Sequence, residues 1–209
     1  MTLGERRERQ RMLSSGDRAA DARWQQILAG AAEVFRTKGY AESTLRDVAE
    51  AVGIDRASVY YYVRGKEELL VELVRGPLTD IEKRINTIMA SGASPEDKLR
   101  DAIVSHLDSY EKGWPESFVF LGQNLEKLGE AADDFAKLAK RYHASLLQII
   151  REGQEAGIFR SDIEARVVMY GIIGMCNWVH RWYRPGGRHT LREVGEYFAS
   201  MLLDGLKCG

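Results

Sequence analysis

Between positions 56 and 66 the chain sets Arg56, Ser58, Tyr60, Tyr61, Tyr62, Arg64 and Lys66 close together. Guanidinium and ammonium groups neutralise phosphates, hydroxyls donate to phosphate oxygens, and an arginine can pair bidentately with guanine. Carried on the outer side of one short helix, such groups suit the major groove of DNA, most of them on phosphates and a few on base edges.

The flanking residues say how that helix is held. Leu45, Val48, Ala49 and Val52 recur at i, i+3, i+4 and i+7, the apolar face of a helix. Thr44 stands at its N-cap with Asp47 three residues on, a capping arrangement. Gly53 can take the positive φ that ends the helix in a turn, and Asp55 is placed to cap the tyrosine-bearing helix after it. Upstream, Trp24, Ile27, Leu28, Ala31, Ala32 and Phe35 form the buried stripe of a helix from about Ala20 to Lys38, closed by Gly39. Packed on that stripe, the helix pair makes a three-helix unit over residues 21–66. Residues 1–20 are a flexible basic arm in which Arg6, Arg7, Arg9 and Arg11 are offset by Glu5 and Glu8. The arm is either a frayed tail, which the acids favour, or a segment reaching the DNA backbone or minor groove.

The segment TLRDVAEAVGIDRASVYYYVRGKEEL (44–69) resembles the helix-turn-helix of tetracycline repressor-like (TetR) bacterial transcription regulators, and ILAGAAEVFRTKGYAEST (27–44) is similar to the family's preceding helix and turn. The resemblance implies an all-α protein of about nine helices, a three-helix DNA-binding unit followed by a larger bundle for ligand binding and dimerisation over 67–209. By motif position it implies that Thr44 and Lys66 hold phosphates. Arg46, Arg56, Ser58 and Tyr60 would lie at base edges or nearby phosphates, and Tyr61 and Tyr62 on sugar-phosphate or thymine methyls. Arg56 is the residue expected to read guanine.

Composition fits a globular protein rather than a disordered or fibrous one: 44% apolar and 29% charged residues, with a net charge of −1. Residues 1–66 hold 12 basic and 9 acidic side chains, the remainder 18 and 22, so the positive excess coincides with the helix-turn-helix. Four prolines and few β-branched runs favour helices throughout. Cys176 and Cys208 have no metal or redox spacing, which fits a reducing cytoplasm. The charged start carries no apolar stretch of a secretory signal, and the longest apolar run, Val167–Val179, is too short to span a bilayer. No phosphate-loop, dinucleotide-binding or zinc-protease motif occurs, and His106, His143, His180 and His189 do not pair at metal-ligand spacing. The sequence therefore predicts neither an enzyme, nor a metal site, nor a bound cofactor.

In the second half, Pro77 is expected to kink or break a helix that starts near Lys66. Further helices are expected at Pro95–Lys112 with Leu99, Ile103, Leu107 and Tyr110 inward, at 117–129, at 131–156, from about Asp162 through Tyr183, and at 190–206 with Leu191, Val194, Phe198, Met201 and Leu202 on one face. Gly171 and Gly174 allow close helix approach, and with Phe198 and Met201 they mark a dimer face built from the last two helices, as TetR-like proteins use. The alternative is an internal core helix in a monomer. Tyr110, Phe120, Asn124, Tyr142, Asn177 and Trp178 are candidate walls of an effector pocket, while His106 and His143 are either polar anchors there or, the favoured reading, partly exposed structural histidines. The RWYRPGG segment (181–187) resembles TetR-like regulators of lipid and aromatic-acid catabolism whose effectors are acyl-CoA thioesters. Arg181 and Arg184 then either anchor phosphates or sit in solvent beside packed aromatic rings. The partners implied are an operator DNA duplex, a second copy of the chain and a small hydrophobic or acyl-CoA effector, with no membrane. A transcriptional activator would share every one of these features. A helical small-molecule binder that uses its helix-turn-helix for protein contacts is the remaining alternative.

Overall fold

A computed structural model describes residues 18–112, 117 and 133–207. Among these residues it contains eight α-helices, one short 3-10 turn and no strand, only an isolated bridge between Phe159 and Lys207. The chain divides into two compact units, residues 1–73 and 74–209.

The first unit holds α1 (Arg18–Lys38), α2 (Leu45–Val52), α3 (Arg56–Tyr62) and the opening of α4 (Lys66–Ala90). Ile27, Ala31 and Phe35 of α1, Leu45, Val48 and Ala49 of α2, and Val59 of α3 are among its buried residues, matching the apolar spacing of each helix. Gly30 lets α1 and α2 close on each other: a methyl group there would meet Val52 Cγ1 at 2.2 Å.

The second unit is built from the rest of α4, α5 (Pro95–Lys112), α6 (Asp133–Glu155), α7 (Ala165–Asn177), the 3-10 turn Trp178–Arg181 and α8 (Leu191–Leu206). Leu99, Ile103 and Leu107 of α5 bury completely with Leu146 and Ile149 of α6, Ile172 of α7 and Leu191 of α8. α5 and α8 pack tightly, since a methyl group on Gly195 would lie 2.9 Å from the Val104 Cα. No helix of the described residues is long and apolar enough to cross a membrane.

Two expectations change. Helix α4 runs unbroken through Pro77. The residue before a proline is normally driven out of helical geometry partly by its own Cβ, and Gly76 has none. The helix expected to reach Tyr183 ends as an α-helix at Asn177 and tightens into the 3-10 turn. There a His180 ring nitrogen takes up the Asn177 carbonyl at 2.7 Å, and Pro185 bars any continuation. The helix expected at 117–129 lies outside the described residues apart from Ser117.

Candidate DNA-binding face and buried polar chain

The helix-turn-helix is assembled by the caps its sequence implies. The Thr44 hydroxyl accepts from the Asp47 N–H at 3.2 Å while Asp47 Oδ2 accepts from the Thr44 N–H at 2.7 Å, a closed capping box. Lys38 donates to the same carboxylate oxygen at 2.7 Å. The Lys38 ammonium, then the Thr44 hydroxyl and N–H, hold the Asp47 carboxyl down to about 2. Gly53 has φ +69° and closes α2 onto the Ala49 and Glu50 carbonyls. Asp55 accepts from the Ser58 N–H at 2.9 Å and from its hydroxyl at 2.6 Å, starting α3 and lowering the Asp55 pKa.

α3 presents Arg56, Tyr60 and Tyr61 to solvent, with Tyr61 54% exposed. Arg56 Nη2 donates to the Tyr60 hydroxyl at 2.9 Å, and its guanidinium lies 5.0 Å from the centre of the same ring. Held at both points, the guanidinium is pre-ordered and keeps further N–H groups for a planar acceptor. Ser58 is half-buried with its hydroxyl turned into the cap. Arg46, on the exposed side of α2, pairs with Glu50 at 2.7 Å.

Two residues expected to contact DNA are placed otherwise. Tyr62 is half-buried and stacks on Trp24 of α1, ring centres 5.8 Å apart, so it fastens α3 to α1. Lys66 turns its ammonium onto the carbonyls of Tyr40, Ala41 and Ser43 at 2.7, 2.8 and 2.9 Å. Both placements are tertiary contacts between residues more than twenty positions apart, which no local spacing announces.

In the second unit, Tyr110, Tyr142 and Asn177 come together around His106, which is buried rather than partly exposed. Tyr110 donates to Asn177 Oδ1 at 2.6 Å, which leaves its oxygen to accept from His106 Nε2–H at 2.7 Å. His106 Nδ1 then accepts from the Tyr142 hydroxyl at 3.0 Å, a proton that hydroxyl shares with the Ala102 carbonyl at 3.3 Å. The chain runs one way, Tyr142 to His106 to Tyr110 to Asn177, with the imidazole neutral. Burial pushes His106 down to about 4, outweighing the acceptor oxygen of Asn177, which favours the charged form, and His143 adds repulsion. Burial also raises both tyrosines and lifts the neighbouring free thiol of Cys176 to about 12. The signal for His106 lies in its spacing, four residues before Tyr110 on the same face as Leu99 and Ile103.

Trp178 and Arg181 stay apart from this chain. Trp178 is 58% exposed, and Arg181 lies 5.4 Å over its ring. Arg184 donates to the Tyr183 carbonyl at 2.8 Å. Phe120 and Asn124 lie outside the described residues. A groove of about 340 Å³ opens elsewhere in the unit, lined by Lys83, Arg84, Asp101, Arg192 and Glu196 among others, and none of the expected effector residues borders it.

The last two helices carry the other exposed apolar surface. Val167, Tyr170, Gly171, Gly174 and Trp178 follow one another along the outer side of α7 and the turn after it, and Tyr197 and Met201 along α8, with Phe198 half-buried. A methyl group on Gly171 or Gly174 would meet nothing within 4 Å among the described residues. Their smallness answers no packing need among the described residues.

Residues 27–73 match the family "Bacterial regulatory proteins, tetR family", and residues 92–206 match "Tetracyclin repressor-like, C-terminal domain". The chain belongs to the TetR family. The transcriptional repressor KstR2 of Rhodococcus jostii is 30% identical over 87% of this chain and 89% of its own length. The solved ketosteroid transcriptional regulator KstR2 of Mycobacterium tuberculosis is 28% identical, superposes with a TM-score of 0.79, and is covered to 96% by 90% of this chain. AibR, solved in complex with isovaleryl coenzyme A and operator DNA, shares the fold at a TM-score of 0.73 and 23% identity, over 87% of this chain and 98% of its own. As a TetR-family protein the chain is a DNA-binding transcriptional regulator. Its relatives are repressors and not enzymes.

Proposed function

We propose that this TetR-family regulator is a homodimeric repressor that holds a palindromic operator and is released by a hydrophobic or acyl-CoA effector. Residues 21–66 form its DNA-binding domain and 67–209 its effector and dimerisation domain. It acts on DNA in the bacterial cytoplasm.

The observation that carries the DNA reading is α3 itself: capped by Asp55, tied to α1 through Tyr62, and showing Arg56, Tyr60 and Tyr61 outward. Inserted in the major groove, Arg56 reads guanine, while Tyr60, Tyr61, Ser58, Thr44 and Arg46 serve the flanking phosphates and sugars. Two such helices on one duplex require a second copy of the chain. The outward glycines of α7 beside Tyr170, and Phe198 and Met201 on α8, suit isologous helix-on-helix contacts that make one.

For the effector, support comes from the chemistry of the second unit and from its relatives' names. Tyr110, Tyr142 and Asn177, organised by neutral His106, offer uncharged hydrogen-bonding groups beside an apolar core, and Arg181 offers charge at the surface. KstR2 is named a ketosteroid regulator and AibR is bound to isovaleryl coenzyme A. An acyl or ring system inside with phosphates outside satisfies both.

The test is fluorescence-polarisation binding to duplex DNA from upstream of the protein's own gene, with and without acyl-CoA thioesters, including steroid-derived ones. Salt-sensitive binding reversed by one thioester is the expected result. Binding that ignores all of them removes the effector assignment and keeps the regulator.

A further inference from the structure

We infer that Asn177 recognises the thioester carbonyl of the effector, its side-chain amide N–H donating to that oxygen at the end of the buried hydrogen-bond chain. The inference rests on the acyl-CoA effector reading above.

The residue is fixed at two points. Tyr110 donates to Oδ1 at 2.6 Å, a length proper to O–H···O and short for N–H···O, so the oxygen end of the amide is the one that meets Tyr110. The backbone carbonyl of Asn177 is taken by His180 Nδ1 at 2.7 Å. With both so held, the –NH₂ end has a set direction, away from the Tyr110 hydroxyl. Among the described residues its two N–H groups donate to nothing. Nor is the nitrogen sealed in. Asn177 is half-buried, and among the described residues the Tyr40 hydroxyl is the buried side-chain polar atom left without a partner. The amide is therefore open to a ligand.

The rest of the chain decides what kind of group it takes. Tyr142 shares its proton between His106 and the Ala102 carbonyl, both His106 nitrogens are bonded, and Tyr110 accepts as well as donates. The chain thus ends in a spare donor, and its imidazole is neutral. A carboxylate brought here would give up water with no cation in the chain to replace it, whereas a carbonyl oxygen asks only for an N–H. Position narrows the carbonyl. Asn177 is the last residue of α7, directly after buried Cys176 and directly before exposed Trp178. In an acyl-CoA the thioester likewise stands where the apolar acyl group meets the polar, solvated arm.

Asn177→Asp separates reading from holding, because its carboxylate still accepts from Tyr110 and offers no N–H. The probes are CoA thioesters, from isovaleryl to steroid-derived, each beside the matching S-alkyl thioether in which a methylene replaces the carbonyl. Their affinities for wild type and Asn177→Asp are measured by calorimetry at mildly alkaline pH, which keeps the new carboxyl ionised. The ratio of thioester to thioether affinity should fall about tenfold in the variant, the worth of one hydrogen bond from a fixed donor. A change of pocket shape or charge weakens both ligands and leaves that ratio alone, so an unchanged ratio overturns the inference. A wild-type protein that binds no thioester brings down the acyl-CoA assignment, and the role of Asn177 with it. Should Asn177→Asp fail to fold, wild type labelled with nitrogen-15 asparagine decides. Its side-chain amide signals come from Asn86, Asn124 and Asn177, and contacts with the Tyr110 ring identify the last. The thioester should move that pair of protons downfield and the thioether should not; equal movement with both overturns the inference.

Discussion

Each unit of this protein exposes aromatic rings, and the company those rings keep differs. On α3 the exposed Tyr60 and Tyr61 stand beside Arg56 and Ser58. On α7 the exposed Tyr170 and Trp178 stand beside Val167 and the glycines 171 and 174, and on α8 the exposed Tyr197 stands beside Met201. A ring among cations and hydroxyls suits a charged, hydrogen-bonding polymer, whereas a ring among aliphatics and glycines suits another helix. Exposure alone therefore identifies no partner; the neighbouring groups do, through the water each surface must give up.

Salt is the sharpest way to split the two faces. If the dimer neutralises six to ten phosphates, raising salt from about 50 to 200 mM weakens DNA binding by roughly 10³ to 10⁵. The dimer itself should hold across that range, and parallel polarisation and sedimentation runs check both. A loss of dimer in step with loss of DNA would break the contrast.

Gly174→Leu attacks the second face alone. It adds a side chain where the protomer has room, so the fold survives and circular dichroism is unchanged, while the mass in solution should fall to that of one chain. DNA affinity should then drop by about two orders of magnitude, as the second half-site contact ceases to be intramolecular. A dimeric Gly174→Leu protein moves the interface elsewhere.

Acid should distinguish what lies beneath the faces. His106 titrates at about 4 in the folded chain, below its ordinary 6.5. Between those values the unfolded chain takes up a proton that the folded one refuses. Stability should therefore fall as pH drops from 6.5 towards 4, by about 3 kcal/mol in all, and level off below. Asp47 acts in the same direction in a lower pH window. Its depressed pKa stabilises the folded state above about 4, and that contribution disappears only as pH falls towards 2. Unfolding midpoints against pH for wild type, His106→Gln and Asp47→Asn should show the first window vanish in one variant and the second in the other.

Arg56→Ala should cost about 1–3 kcal/mol of discrimination between operator and scrambled duplex, with little change in non-specific binding. Equal discrimination would take Arg56 off the base edges. The smallest effect belongs to the cap: Thr44→Ala should lower stability by about 1 kcal/mol, read from denaturant midpoints, with the bound sequence unchanged.

The parts of this molecule that sequence reveals are those made by near neighbours. Thr44 with Asp47, Asp55 with Ser58, and the turn at Gly53 all close within a few residues, so type and spacing determine them. The stripes Leu45–Val48–Ala49 and Leu99–Ile103–Leu107 follow from helical periodicity in the same way. Lys66, Tyr62 and His106 were harder because each is defined by a partner on another element: the 40–43 turn, Trp24 and Tyr142. A lysine four residues past a recognition helix looks like a phosphate ligand, and nothing in that spacing announces the carbonyls it faces. Pro77 breaks no helix, and the Cβ clash that drives a pre-proline residue out of helical geometry is absent at Gly76.

The one-way hydrogen-bond chain from Tyr142 to Asn177 bears on how this protein can evolve. Every member donates to the next, so replacing one strands its neighbours: phenylalanine at 110 would leave the His106 N–H without an acceptor and the Asn177 oxygen without a donor. Such a chain drifts as a block. Descendants that abandon Tyr110 should have exchanged Asn177 for an apolar residue in the same lineage, and regulators retuned to a new effector should differ at several of these four positions together.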